Sequence, residues 1–208
     1  NYQGVWDITT QFQYAAEWPV PFPSGDLGLF TSAYTTNVLD FVTVSSTGNA
    51  ADFGDATAAK YYTQGHGNAT RGITGYGGAE GPRTIDYVEF ATKGNAADFG
   101  DTATQFGSQQ GGGCGSNARG VFASSASSLT NIMEYVTMAN LGNGTDFGDL
   151  TQARGRLTAT SSATRGIFAG GYTDSASFVD TIDYITIANT GNASDFGNLT
   201  LARTFVAG

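Results

Sequence analysis

Side chains able to do chemistry are few in this chain. His66 is the one histidine and Cys114 the one cysteine among 208 residues. A zinc or copper centre needs several nitrogen or sulfur ligands. A nucleophilic triad needs a histidine beside its nucleophile. His66 stands in "GHGNA" with neither partner in sight and reads as a solvated loop histidine. Cys114, in "QQGGGCGSN", reads as a small neutral residue of a polar loop. The glycines of "GGGCGS" are followed by no Lys-Ser/Thr pair, so they do not cradle phosphate. Carboxylates are the remaining reagents, and two suffice for glycoside hydrolysis. Most occupy repeated positions. Glu17, Glu80, Asp174 and Asp180 do not, but they fall in loops and nothing marks two of them as a pair. These residues argue for a non-enzymatic protein with no cofactor and no metal. A carboxylate-based polysaccharide-degrading activity is the alternative.

Acidic residues also recur in an octapeptide. "GNAADFGD" stands at Gly48–Asp55 and at Gly94–Asp101, "GNGTDFGD" at Gly142–Asp149 and "GNASDFGN" at Gly191–Asn198. Asn49, Asp52 and Asp55 offer oxygen ligands of the kind calcium takes. The D-x-D-x-D-G run and bidentate Glu of an EF-hand are missing. Backbone chemistry is the simpler account: glycine admits positive φ, and an Asp can accept from the N–H two residues on. The octapeptide then reads as a turn anchored by a buried Phe. A calcium-stabilised spacer is its alternative.

The octapeptide is one part of a longer unit. Its phenylalanines, Phe53, Phe99, Phe147 and Phe196, are 46, 48 and 49 residues apart. Periods of this length belong to propellers and solenoids. A first strand recurs at Gly28–Tyr34, Arg71–Gly78, Arg119–Ser125 and Arg165–Tyr172. A second follows at Asn37–Val44, Thr84–Phe90, Asn131–Met138 and Thr181–Ile187. The octapeptide is expected to turn the chain into a third, clearest in Leu150–Arg154 and Leu199–Arg203, before a fourth made of small residues at Gly155–Ser162. In "TIDYITI" both faces of the second strand are apolar, as in a sheet covered on both sides. Glycine and β-branched residues abound, and helix formers are scarce.

"IFAGGYTDSASFVDTIDYITI…LTLAR" resembles a kelch repeat, without the usual tryptophan of its third strand. "GNAxDFGDLTxAR" and "TRGIFAGGY" resemble repeats in structural proteins of bacteriophages, notably tail or fibre proteins. The resemblance covers about 28–208. It implies an all-β fold, a kelch-like β-propeller of four four-stranded blades spanning residues 26–208. Residues 1–25 form a separate strap, a short helix followed by a proline-rich stretch. "TFVAG" at Thr204–Gly208 is expected to begin the last inner strand and close the ring beside Gly28–Tyr34. The resemblance also implies a virion structural protein, in an extracellular particle, presenting a receptor-binding or assembly surface.

Eighteen acidic residues against nine basic ones give a net charge of −9. Nucleic acid and anionic membrane are therefore poor partners. No apolar run approaches the roughly 20 residues of a membrane span. The expected partners are other virion subunits or a host surface polysaccharide or receptor, with a homo-oligomer also open. Within the repeat, the loop between first and second strands differs in every copy, and a repeat protein can place its specificity there. Glu80, Arg83, Tyr172, Asp174, Phe178 and Asp180 are the candidate binding residues of those loops.

Overall fold

The computed structural model describes residues 26–33, 36–60, 63–75, 83–104, 111–123, 129–173 and 177–204. The expected N-terminal strap and residues Phe205–Gly208 lie outside them. The described residues are all-β, with fifteen strands in four antiparallel sheets. The first sheet has three strands: β1 (Leu27–Ala33), β2 (Thr36–Thr43) and β3 (Ala51–Asp55). The second has β4 (Gln64–Gly67), β5 (Arg71–Gly75), β6 (Thr84–Glu89) and β7 (Ala97–Asp101). The third has β8 (Gly112–Gly115), β9 (Arg119–Ala123), β10 (Ile132–Thr137) and β11 (Thr145–Asp149). The fourth has β12 (Thr158–Ser161), β13 (Arg165–Ala169), β14 (Thr181–Thr186) and β15 (Ser194–Asn198). Each sheet is a meander in chain order, and the small-residue strand of one repeat enters the sheet of the next.

Two sequence expectations are corrected. The third strand of each repeat is not the stretch after the octapeptide. It is the second half of the octapeptide itself, and Leu150–Arg154 is irregular. Cys114 is not in a loop. It lies in β8 with its side chain buried, and a Cβ added at Gly166 would stand 2.6 Å from its sulfur. The inner strands β4, β8 and β12 pack side by side. Glycine is needed where they meet: a Cβ at Gly113 would lie 3.0 Å from the Gly65 carbonyl oxygen.

Why the octapeptide recurs follows from its geometry. In each sheet the register slips where the octapeptide strand pairs with its neighbour, as where Leu39 faces Gly54 but Asp40 faces Asp52. Phe53 is the extra residue of a β-bulge, and so are Phe99, Phe147 and Phe196. The Asp before each Phe accepts from the glycine N–H two residues on, at 2.9–3.2 Å. Each Phe meets the aromatic ring of the middle strand edge-on, at 5.9 or 6.0 Å. The bulge glycine takes φ of +143° at Gly54, +147° at Gly100 and +132° at Gly148.

That glycine lets the next repeat come close. The front half of each later octapeptide docks on the back half of the preceding one. Gly94 N–H donates to the Phe53 carbonyl at 2.9 Å, and Ala96 N–H to the Asp55 carbonyl at 2.7 Å. In return Asp55 N–H donates to Asn95 Oδ1 at 3.1 Å. The same three bonds join the second sheet to the third, through Gly142, Gly144 and Asn143, and the third to the fourth, through Gly191, Ala193 and Asn192. A Cβ at Gly54, Gly100 or Gly148 would fall 2.4–2.5 Å from the facing glycine backbone. The octapeptide is thus both a bulged strand and the splice between sheets.

Two further contacts complete each joint. The middle-strand acid accepts from the segment that follows the octapeptide of the preceding repeat. Asp86 accepts from Thr57 Oγ1 at 2.6 Å and pairs with Lys60 at 2.9 Å. Asp183 accepts from Thr151 Oγ1 at 2.6 Å and pairs with Arg154 at 2.8 Å. Glu134 accepts from Ala103 and Thr104 N–H groups. The strand-opening arginines reach forward: Arg71 donates to the Met138 carbonyl at 2.8 Å and Arg119 to the Ile187 carbonyl at 3.0 Å. Each also lies over the tyrosine beside it, Tyr87 or Tyr135. Where Leu27 replaces that arginine, Lys93 of the next repeat covers Phe41 instead, at 3.9 Å.

The described residues do not close a ring. Phe53, Phe99 and Phe147 are 2–3% exposed, yet Phe196 is 52% exposed. At the other end, Val44 is 66% exposed, while its counterparts Met138 and Ile187 are 1% exposed. The first sheet has no inner strand among the described residues.

Candidate functional site

The chain turns between first and second strands at the same edge where it passes from third strand to the next sheet. Backbone pairing shows this directly, because Tyr172 pairs with Gly155 on one side and with Phe178 on the other. The octapeptides lie at the opposite edge with the turns capped by Asn68, Ser116 and Ser162. The octapeptide turns and the capped turns therefore sit at one edge, and the varied loops at the other.

Of the six residues singled out by sequence, Tyr172 and Phe178 are brought together. They face each other across a hairpin fixed by Thr173 N–H to the Ser177 carbonyl at 3.1 Å and Val179 N–H to the Gly171 carbonyl at 3.0 Å. Phe178 is 58% exposed, and Tyr172 is half-buried. Asp180 follows on the same hairpin, its carbonyl taken by Leu199 N–H at 2.7 Å. Arg83 belongs to the second sheet, where its guanidinium donates to the Ala103 carbonyl at 2.7 Å and steadies the segment leaving β7. Glu80 and Asp174 lie outside the described residues.

Arg156 joins this group and was missed. Its guanidinium stacks on the Tyr172 ring with 4.7 Å to the centroid, and its backbone adopts φ of 55°. Thr204 Oγ1 donates to its carbonyl at 3.2 Å. The signal was present in the sequence: counted from the octapeptide, the same position holds Tyr62 and Phe205 in other repeats. At the place of Tyr172 the second and third repeats hold Gly78 and Ala126, and the first holds Tyr34. The result is an exposed Phe178 paired across the hairpin with Tyr172, and a cation stacked on the tyrosine. Such a surface can stack on a flat apolar face and hydrogen-bond around it.

A second concavity of about 340 Å³ lies between β1 and the β4–β5 pair, lined by Leu29, Thr31, His66, Ile73 and Phe90 among others. His66 is not a solvated loop residue. It lies on β4, half-buried, and its Nε2 is 2.9 Å from the Ser116 carbonyl. Burial holds its pKa below the ordinary histidine value, against the opposing pull of that carbonyl. Burial also pushes the Cys114 thiol up to about 12, which makes it a poor nucleophile. Among the described residues no group of three or more His, Cys, Asp or Glu side chains is assembled to hold a metal ion. No protein-family model matches the chain, and no curated protein matches it.

Proposed function

We propose that this chain is a non-enzymatic virion component, tail- or fibre-associated, in which the four sheets are blades of a kelch-like propeller. Its varied loop edge contacts a receptor or a neighbouring subunit. The likeness of the repeat words to phage tail and fibre proteins supports the setting. The observation that carries the binding edge is the exposed Phe178 paired across the hairpin with Tyr172, whose ring carries Arg156. An exposed ring paired with a second aromatic that carries a cation is a combination that recognition surfaces use.

Replacing Tyr172, Asp174 and Phe178 together by Ala tests the reading. Far-UV circular dichroism and the melting temperature are expected to stay close to those of the parent. Attachment to host cells, or incorporation into particles, is expected to fall at least about tenfold, the effect of losing roughly 1.4 kcal/mol. Normal attachment and normal assembly by the triple variant would overturn it. Release of oligosaccharide from host surface polysaccharide by the parent chain would instead favour the enzymatic alternative.

A further inference from the structure

The two ends of the array carry the unmatched halves of one joint. At the trailing end, Phe196, Gly197 and Asn198 occupy the places of Phe53, Gly54 and Asp55, and Gly197 keeps the bulge conformation with φ of +137°. Yet a Cβ there would meet nothing within 4 Å, where the three earlier bulge glycines meet backbone. At the leading end, Gly48 and Asn49 occupy the places of Gly94 and Asn95, whose backbone N–H and side chain make the joint with the preceding repeat. Asp40 stands where Asp86 and Asp183 are buried in ion pairs, but it is half-buried and has no such cation among the described residues. Arg203 stands where Lys60 and Arg154 stand, and its guanidinium turns back to Leu201 and Thr200 of its own segment. For these contacts, the partner missing at one end is present at the other.

A single chain does not bring the two together. Three like joints separate the first sheet from the fourth. Were each a quarter turn, the fourth joint would already exist and Phe196 and Val44 would be buried. We propose that the trailing face of the fourth sheet docks on the leading face of the first sheet of a second copy of this chain. The contact repeats the internal joint: Asn198 N–H donates to the Asn49 side chain, Arg203 pairs with Asp40, and Phe196 covers the face that bears Val44. Such head-to-tail contacts are heterologous, so they close into a ring of several chains or extend as a filament. This deepens the reading of the sheets as propeller blades, and the two fail separately, since the loop variants above leave the end faces intact.

Two measurements on the 208-residue chain test it. Sedimentation is expected to show concentration-dependent oligomers. Val44→Lys is expected to weaken them at least about tenfold, with an unchanged circular dichroism spectrum, because Val44 is exposed in the single chain. The double variant N49C/N198C is expected to form disulfide-linked multimers on a non-reducing gel, Cys114 being buried and unreactive. A monomer at every concentration, oligomers indifferent to Val44→Lys, or a cross-link formed only within one chain would each overturn the proposal. The last would show a ring closed by four sheets.

Discussion

Asp183 is fully buried together with Arg154, and the pair survives there because each partner is otherwise satisfied. The carboxylate accepts from both groups of Thr151, and the guanidinium also donates to the Phe168 and Gly170 carbonyls. Removing the charge on one side leaves the other buried and uncompensated, which costs about 3–5 kcal/mol. Asp183→Asn is expected to lower stability by that amount in urea unfolding, and the double variant D183N/R154M to recover part of it. No loss in the single variant would mean that the pair is not formed. An acid recurs in the second strand of each repeat, at Asp40, Asp86, Glu134 and Asp183, but its partner is not legible there, because the cation lies in another repeat. Even so, the exception carries a pattern. Where Lys60 and Arg154 supply a cation the acid is Asp, and where Phe106 holds that place it is Glu134, long enough to reach two backbone N–H groups. His66 gives a second prediction at this scale. Its folded-state pKa lies below the unfolded one, so the unfolded chain takes up the proton first. Stability is therefore full above the ordinary histidine range and falls as pH drops through it. Comparing urea midpoints at about pH 7.5 and about pH 5.5, His66→Gln is expected to show a smaller fall than the parent. An equal fall in both would remove His66 as a cause.

At the scale of the element, the octapeptide is where sequence reading and structure diverge most. The repeat period, the all-β class and the first two strands of each repeat follow from alternating apolar residues and turn residues. The third strand does not, because "ADFGD" looks like a turn: two acids and a glycine around a single aromatic. Its strand character comes from a bulge, and a bulge is fixed by cross-strand register rather than by local propensity. Its role as a splice is further hidden, since the donor and acceptor halves sit about 40 residues apart, as Asp55 and Asn95 do. The bulge glycines allow a clean experiment. Gly100→Ala imposes both an unfavourable φ and a Cβ 2.4 Å from the Gly142 carbonyl oxygen. Gly197→Ala imposes the φ alone, because nothing stands within 4 Å. The backbone strain common to both is about 1–3 kcal/mol. Under conditions where the chain is monomeric, Gly100→Ala is expected to lower the melting temperature clearly more than Gly197→Ala. Equal shifts would show that the close approach between repeats is not the reason for glycine.

For the whole molecule, stability should follow position in the array. Among the described residues the main contacts between sheets join neighbours in chain order, so the total is close to a sum of sheet and joint terms, as in other repeat proteins. The second and third sheets are joined on both sides. Their buried residues, Ile73, Ile85, Val121 and Met133, are each at most 2% exposed. The fourth sheet has one bare face, marked by Phe196 and Leu201, and the first has a bare face and a missing inner strand. Local opening follows the number of buried contacts that must be broken. Amide exchange in the monomeric Val44→Lys variant is therefore expected to be slowest in β5, β6, β9 and β10 and faster in β1 and β15. In the assembled parent, Asn198 N–H and Gly48 N–H should gain protection, since these are the donors that the docked joint occupies, while the β9–β10 core should change little. Uniform exchange along the chain would contradict an array of separable sheets. Protection that rose in the core but not at Gly48 and Asn198 would place the contact between copies somewhere other than the end faces.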